Sequence, residues 1–156
     1  MVEPGLLSRR GWLRRLVLVV AIVAGGVLSS GRAEAQPAPR VDGAINTNVF
    51  NAVSGRYAEG MRVELFAVKG EVLHPLAVAT VGADGRAELM DGRPLAVGQY
   101  ELRFQLADYF RQQGVPVGDP PYLDHVPVRF SVDTPSGHYH VPLICTPWSY
   151  STYRGS

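Results

Sequence analysis

One cysteine in 156 residues cannot close a disulfide within the chain, so packing rather than cross-linking has to hold this protein together. Cys145, between Ile144 and Thr146 in an apolar stretch, is predicted to be a buried small hydrophobe and not a nucleophile. Charge of one sign is scarce as well. The 15 Lys and Arg stand against 14 Asp and Glu, a formal net charge of +1, which excludes the basic footprint of a nucleic-acid-binding protein. Long hydrophobic runs are missing too. The apolar stretch from Leu16 to Leu28 covers 13 residues, whereas crossing ~30 Å of hydrocarbon takes about 20. There is no internal repeat, and no low-complexity segment beyond a short Pro-containing linker.

What is present at the start of the chain has the grammar of an export signal over residues 1–35. Arg9, Arg10, Arg14 and Arg15 form a positive region, the apolar stretch follows, and Ala33-Glu34-Ala35 is an A-x-A cleavage site. Ser8-Arg9-Arg10-Gly11-Trp12-Leu13-Arg14 also resembles the twin-arginine export motif S-R-R-x-F-L-K, and the choice between export routes stays open. Cleavage near Ala35 predicts a periplasmic or secreted protein with no membrane in its mature form. It removes five Arg and two Glu, leaving 10 basic and 12 acidic side chains. The remaining 121 residues suffice for one domain with an ordinary core. Residues 36–43 read as a linker and 44–156 as the domain.

Within the domain, turn chemistry separates short runs of period-two alternation. Ile45, Val49 and Val53 suggest a first strand that Ser54-Gly55 ends, and Arg62 to Val68 is the clearest half-buried strand. Leu76 to Val81 and Arg86 to Leu89 flank Gly82-Ala83-Asp84-Gly85 and read as a hairpin. Gln99 to Leu106 alternates again. Asp108 is placed to cap a short helix from Tyr109 to Gln113 that Gly114 ends. Val126 to Val132 follows a Pro-rich loop, and Pro127 within it predicts an edge strand or a bulge. Tyr139 to Thr146 and Ser149 to Tyr153 complete seven or eight strands. The pattern predicts a mainly β protein, a β-sandwich with one short helix.

Residues that can carry chemistry gather near the end. His138 and His140 are two apart on a strand and share a face. Two imidazoles so placed can bind a metal, but Cys145 falls on the opposite face and His74 and His125 lie in unrelated segments, so no metal site is predicted. The chain finishes on three aromatics and an Arg, with Tyr153-Arg154-Gly155-Ser156 last, an unusual load for an end that is ordinarily frayed.

The His138-Tyr139-His140-Val141-Pro142-Leu143 run and the Tyr153-Arg154-Gly155-Ser156 tail resemble the transthyretin-like hydroxyisourate hydrolases, whose chains carry both motifs. The resemblance extends from about Ile45 to Ser156. It implies a transthyretin-like (prealbumin-like) sandwich, no cofactor, and a homotetramer with clefts shared between subunits. It also implies an oxidised urate as the small-molecule substrate, within purine catabolism. His140 would belong to the active site, and Arg86, in the family's D-G-R triplet, would hold the planar substrate, for which a rigid donor fork suits better than a Lys point charge. Ser156 would order a water or a substrate hydroxyl, with Tyr153, Arg154 and Gly155 beside it.

The chain departs from that family at one important place. Where the hydrolases carry T-H-V-L-D, it reads Thr47-Asn48-Val49-Phe50-Asn51, so Asn48 occupies the position of a catalytic His. An amide has no titratable nitrogen and cannot take a proton near neutral pH, and losing a general base typically costs about 10²- to 10⁴-fold. Asn51 similarly replaces a carboxylate that could have oriented that histidine. Two expectations follow: a hydroxyisourate hydrolase of reduced activity, or a non-catalytic binding protein on the same scaffold, as transthyretin itself is. A general adhesion module would not require His140, Arg86 and Ser156 to fall on family positions.

Overall fold

The computed structural model describes residues 43–155. The export segment, the linker up to residue 42 and Ser156 lie outside the described residues. Strand structure begins at Gly43, one residue inside the expected linker.

Two sheets pack face to face. The first is organised around β1 (Gly43–Asn51), which pairs with β2 (Arg56–Tyr57) and β5 (Arg86–Arg93), both antiparallel, and with β8 (His138–His140) and β9 (Leu143–Thr146), both parallel. β10 (Ser149–Thr152) closes one edge on β9. The second sheet runs β4 (Val72–Thr80), β3 (Arg62–Lys69), β6 (Gly98–Phe104), β7 (Val126–Val132), all antiparallel. Ile45 and Val49 of β1 meet Val63, Leu65, Leu102 and Phe104 of the second sheet in the shared core. Each such side chain contributes ~1.5–3 kcal/mol on burial. β7 is the edge strand that Pro127 predicts, and Cys145 is buried as expected.

Four local expectations are corrected. The Gly82–Gly85 turn exists, with Gly85 N donating to the Gly82 carbonyl at 2.9 Å, but it joins two sheets and makes no hairpin: β4 pairs with β3 and β5 with β1. The hairpin turn is Gly70-Glu71, where Gly70 adopts φ +62°, the left-handed geometry a two-residue connection needs. Val53 lies beyond β1 in an exposed turn. The helix α1 spans Leu106–Gln112, so Asp108 sits in its first turn and bonds to Arg111 instead of capping it. Gly114 does end it, with Gly114 N on Arg111 O and Val115 N on Phe110 O, a Schellman pair.

The fourth correction concerns the expected strand from Tyr139 to Thr146, which breaks into β8 and β9 because Pro142 has no N–H for the ladder. Side chains bridge the gap. Thr47 Oγ1 donates to the Val141 carbonyl and Thr152 Oγ1 to that of Pro142, each at 2.7 Å. This break and the short β2 bring the described residues to ten strand segments in the expected sandwich.

Candidate functional site

Alternation on β1 turns Ile45, Thr47, Val49 and Asn51 into the core and leaves Asn46 and Asn48 half-buried on the outer face. The register then sets their neighbours. Asn46 stands opposite His140 on β8 and opposite Glu88 on β5, and Asn48 stands opposite Arg86. Residues facing each other across a ladder point the same way, so residues of three strands, β1, β5 and β8, collapse into one patch. Asn46, Arg86, His138 and His140 line a cleft of about 170 Å3 there.

His140 is fixed at its ring: Nδ1 lies 2.6 Å from Asn46 Oδ1. Burial holds the imidazole's pKa below the ordinary 6.5; the Arg86 charge acts in the same direction, and Glu88 opposes both. Near neutral pH the ring is therefore uncharged and able to accept a proton. Arg86 owes its place to the turn before it. Asp84 Oδ1 accepts the Arg86 backbone N–H at 3.0 Å. Gly85 has φ +82°, and a Cβ on it would stand 2.3 Å from the Tyr57 ring, so only glycine lets the chain pass and deliver the guanidinium to the outer face.

The tail reaches the same histidine from the other side. Gly155 N donates to the His140 carbonyl at 2.9 Å. A Cβ on Gly155 would come within 2.2 Å of His140 Cδ2, so the motif's glycine is what allows this approach. Tyr153 and Arg154 go elsewhere. They line a second cleft of about 290 Å3 with Val128, Phe130 and Tyr139, and His140 borders it too. There the Tyr139 hydroxyl bonds to Asp133 and holds its carboxyl below the usual range, with Arg154 adding a smaller effect of the same sign.

Of the residues the sequence singles out, His140 and Arg86 thus share a cleft, Asn48 adjoins Arg86 on the same face, and Gly155 backs His140. Tyr153 and Arg154 are not beside Arg86 in this subunit's cleft, and Ser156 lies outside the described residues. Asn51 is corrected. It is buried on the face opposite Asn48, donating to the Tyr109 hydroxyl at 3.1 Å and accepting Val53 N at 2.9 Å, so it stabilises a turn and orients nothing in the cleft. Asn46 is the residue sequence reasoning missed. Parity with Asn48 places it on the right face, but its partner is 94 residues away. Among the described residues no group of three or more His, Cys, Asp or Glu is arranged to hold a metal.

A two-sheet sandwich with an uncharged imidazole, a guanidinium and amides on the outer face of one sheet defines a small β protein equipped for acid–base chemistry on a polar ligand. The chain belongs to the HIUase/Transthyretin family, whose model matches residues 45–155. It is 49% identical over 114 residues to the 5-hydroxyisourate hydrolase of Deinococcus radiodurans, covering 72% of this chain and 95% of that one. Among solved structures, the 5-hydroxyisourate hydrolase of Klebsiella pneumoniae superimposes with a TM-score of 0.62 at 28% identity, covering 73% of this chain and 99% of that one. An (S)-allantoin synthase structure gives 0.67 at 38% identity over 74% of this chain, which spans only 44% of that longer protein.

Proposed function

We propose that this protein is a 5-hydroxyisourate hydrolase that opens the cyclic amide of its substrate with water. The observation that carries the reading is the His140 imidazole and the Arg86 guanidinium lining one cleft, on a chain whose relatives bear that activity in their names. His140 takes a proton from a water as its oxygen bonds to the amide carbonyl carbon. Arg86 receives the negative charge that develops on the carbonyl oxygen, where a fixed cation acts more strongly than solvent. The ring C–N bond then breaks, the proton passes to the departing nitrogen, and the carbonyl carbon leaves as a carboxyl group.

Asn48 supplies hydrogen bonds and no base, so turnover is expected below that of a site with an imidazole opposite Arg86. The test is direct. 5-Hydroxyisourate generated from urate by an oxidase decays slowly by itself, and the protein should accelerate its disappearance, with Arg86→Ala abolishing most of the gain. Decay at the buffer rate removes the enzyme reading. It would leave the second one, ligand binding without turnover, which Asn48 favours.

Two further parts of the reading are testable separately. The protein acts outside the cytoplasm, which the basic region, apolar stretch and A-x-A site support; a mature N-terminus near residue 36 in the periplasmic fraction is the expected result. It works as a homotetramer, which the family supports. A sedimenting species of one chain's mass refutes that.

A further inference from the structure

We propose that Asn46 is the positioning residue that makes His140 a one-sided base, holding the proton on Nδ1 so that the Nε2 lone pair faces the cleft. This rests on the hydrolase reading for its catalytic consequence but not for its geometry. An amide oxygen accepts hydrogen bonds and cannot donate them. With Asn46 Oδ1 2.6 Å from Nδ1, the hydrogen between them belongs to the ring. A neutral imidazole carries one N–H, so Nε2 is left bare.

The backbone makes this contact difficult to lose. Asn46 and His140 are register partners in the parallel β1–β8 pair, and the Asn46 carbonyl accepts Val141 N at 3.0 Å, so both Cα positions are tied on the same ladder. Gly155 closes on the Cδ2 edge. One edge of the ring is therefore bonded and another blocked by backbone.

Chemistry explains why an amide stands here and not a carboxylate. Among the described residues, the charged or titratable side chains around the ring are Arg86 and Glu88 on β5, His138 on β8, Asp133 and Tyr139 in the wall of the second cleft, and Tyr153 and Arg154 in the tail, while β1 contributes the amides Asn46 and Asn48. An aspartate at position 46 would orient the ring equally well but stabilise its protonated form, removing the base at neutral pH. Asparagine selects the tautomer without adding charge. The need is acute in this chain, where Asn48, the register partner of Arg86, offers no base, and a histidine in the wrong tautomer loses most of its rate.

The test uses the whole processed protein labelled with 15N-histidine, and long-range 15N–1H correlation spectra at pH 7.5, which distinguish protonated from unprotonated ring nitrogens without substrate. The expected result is His140 with Nδ1 protonated and Nε2 bare. Asn46→Leu should mix the tautomers and lower kcat about 10- to 100-fold with KM little changed. Asn46→Asp should keep the tautomer but raise the His140 titration midpoint by about one unit or more, moving the acid limb of the rate profile with it. A wild-type ring protonated on Nε2, or an Asn46→Leu protein with unchanged tautomer and kcat, overturns the proposal. The stated tautomer in a protein that opens no ring upholds the hydrogen bond and overturns the hydrolase reading instead.

Discussion

Gly155→Ala isolates what the tail does for the histidine. The new Cβ would lie 2.2 Å from His140 Cδ2, while ordinary contact begins at 3.4 Å, so ring and tail must part by a little over 1 Å. They cannot part freely, because Gly155 N is bonded to the carbonyl of the same His140 at 2.9 Å. Either that bond breaks or the imidazole rotates away from Asn46. A catalytic group misplaced by ~1 Å costs about 10²-fold in rate, whereas one lost hydrogen bond near the end of the chain costs ~0.5–1.5 kcal/mol of stability. The expected signature is therefore a large fall in kcat for ring opening, followed by ultraviolet absorbance on freshly generated substrate, with a urea midpoint close to wild type. A variant that turns over within about threefold of the parent shows that the tail does not set the ring's position, and the reasoning fails.

Asn48→His places an imidazole directly opposite Arg86 and should raise kcat about 10- to 100-fold; an equal or lower rate shows that the cleft has been rebuilt around the amide. The acid limb of kcat/KM should fall below 6.5, because burial and then Arg86 favour the neutral His140, and a limb above that value contradicts the assignment. Thr47→Val leaves the Val141 carbonyl without its 2.7 Å donor and should cost about 1–3 kcal/mol in urea unfolding. Burial raises the Glu101 pKa, but hydrogen bonds from Arg129 and Arg103 more than offset this and hold it below 4.5; its stabilisation is then full above 4.5 and lost as pH falls through the lowered value. Glu101→Gln should remove that pH dependence and about 1–2 kcal/mol at pH 7, less than for a fully buried pair because the two guanidiniums are 31% and 53% exposed. Burial pushes the Cys145 thiol up to about 12, so the folded protein should resist alkylation at pH 8 and react fully in urea.

Period-two alternation was enough to find β3, β6 and β7, because each has one face on the core and one outside. Pro127 and Cys145 were legible for the same local reason. The Asp84-Gly85 signal misled because a D-G pair announces a tight turn and not which strands it joins; a sandwich needs turns that change sheets as well as turns that close hairpins. Asn51 lies three residues from Asn48, an offset that reverses the face of a strand, so its parity alone places it away from the cleft. The site was legible only as far as motifs reach: His140, Arg86 and Gly155 could be named, but their meeting depends on pairing between distant strands. Asn46 carries no titratable group and belongs to no motif quoted for it, so only the register exposes it. Tyr153 and Arg154 precede a residue that does touch His140, yet backbone direction sends them to the neighbouring cleft.

Because β1 lies between β5 on one side and β8 and β9 on the other, the first strand of the domain waits for nearly the last. Asn46 must close a 94-residue separation to meet His140, and pairings that distant come late and slowly. A nascent polypeptide that has emerged only as far as residue 130 already carries Asn46, Asn48 and Arg86 but lacks His140, the proposed base. Turnover would then serve as a timestamp for finished folding, silent during synthesis and starting only when the final strands dock.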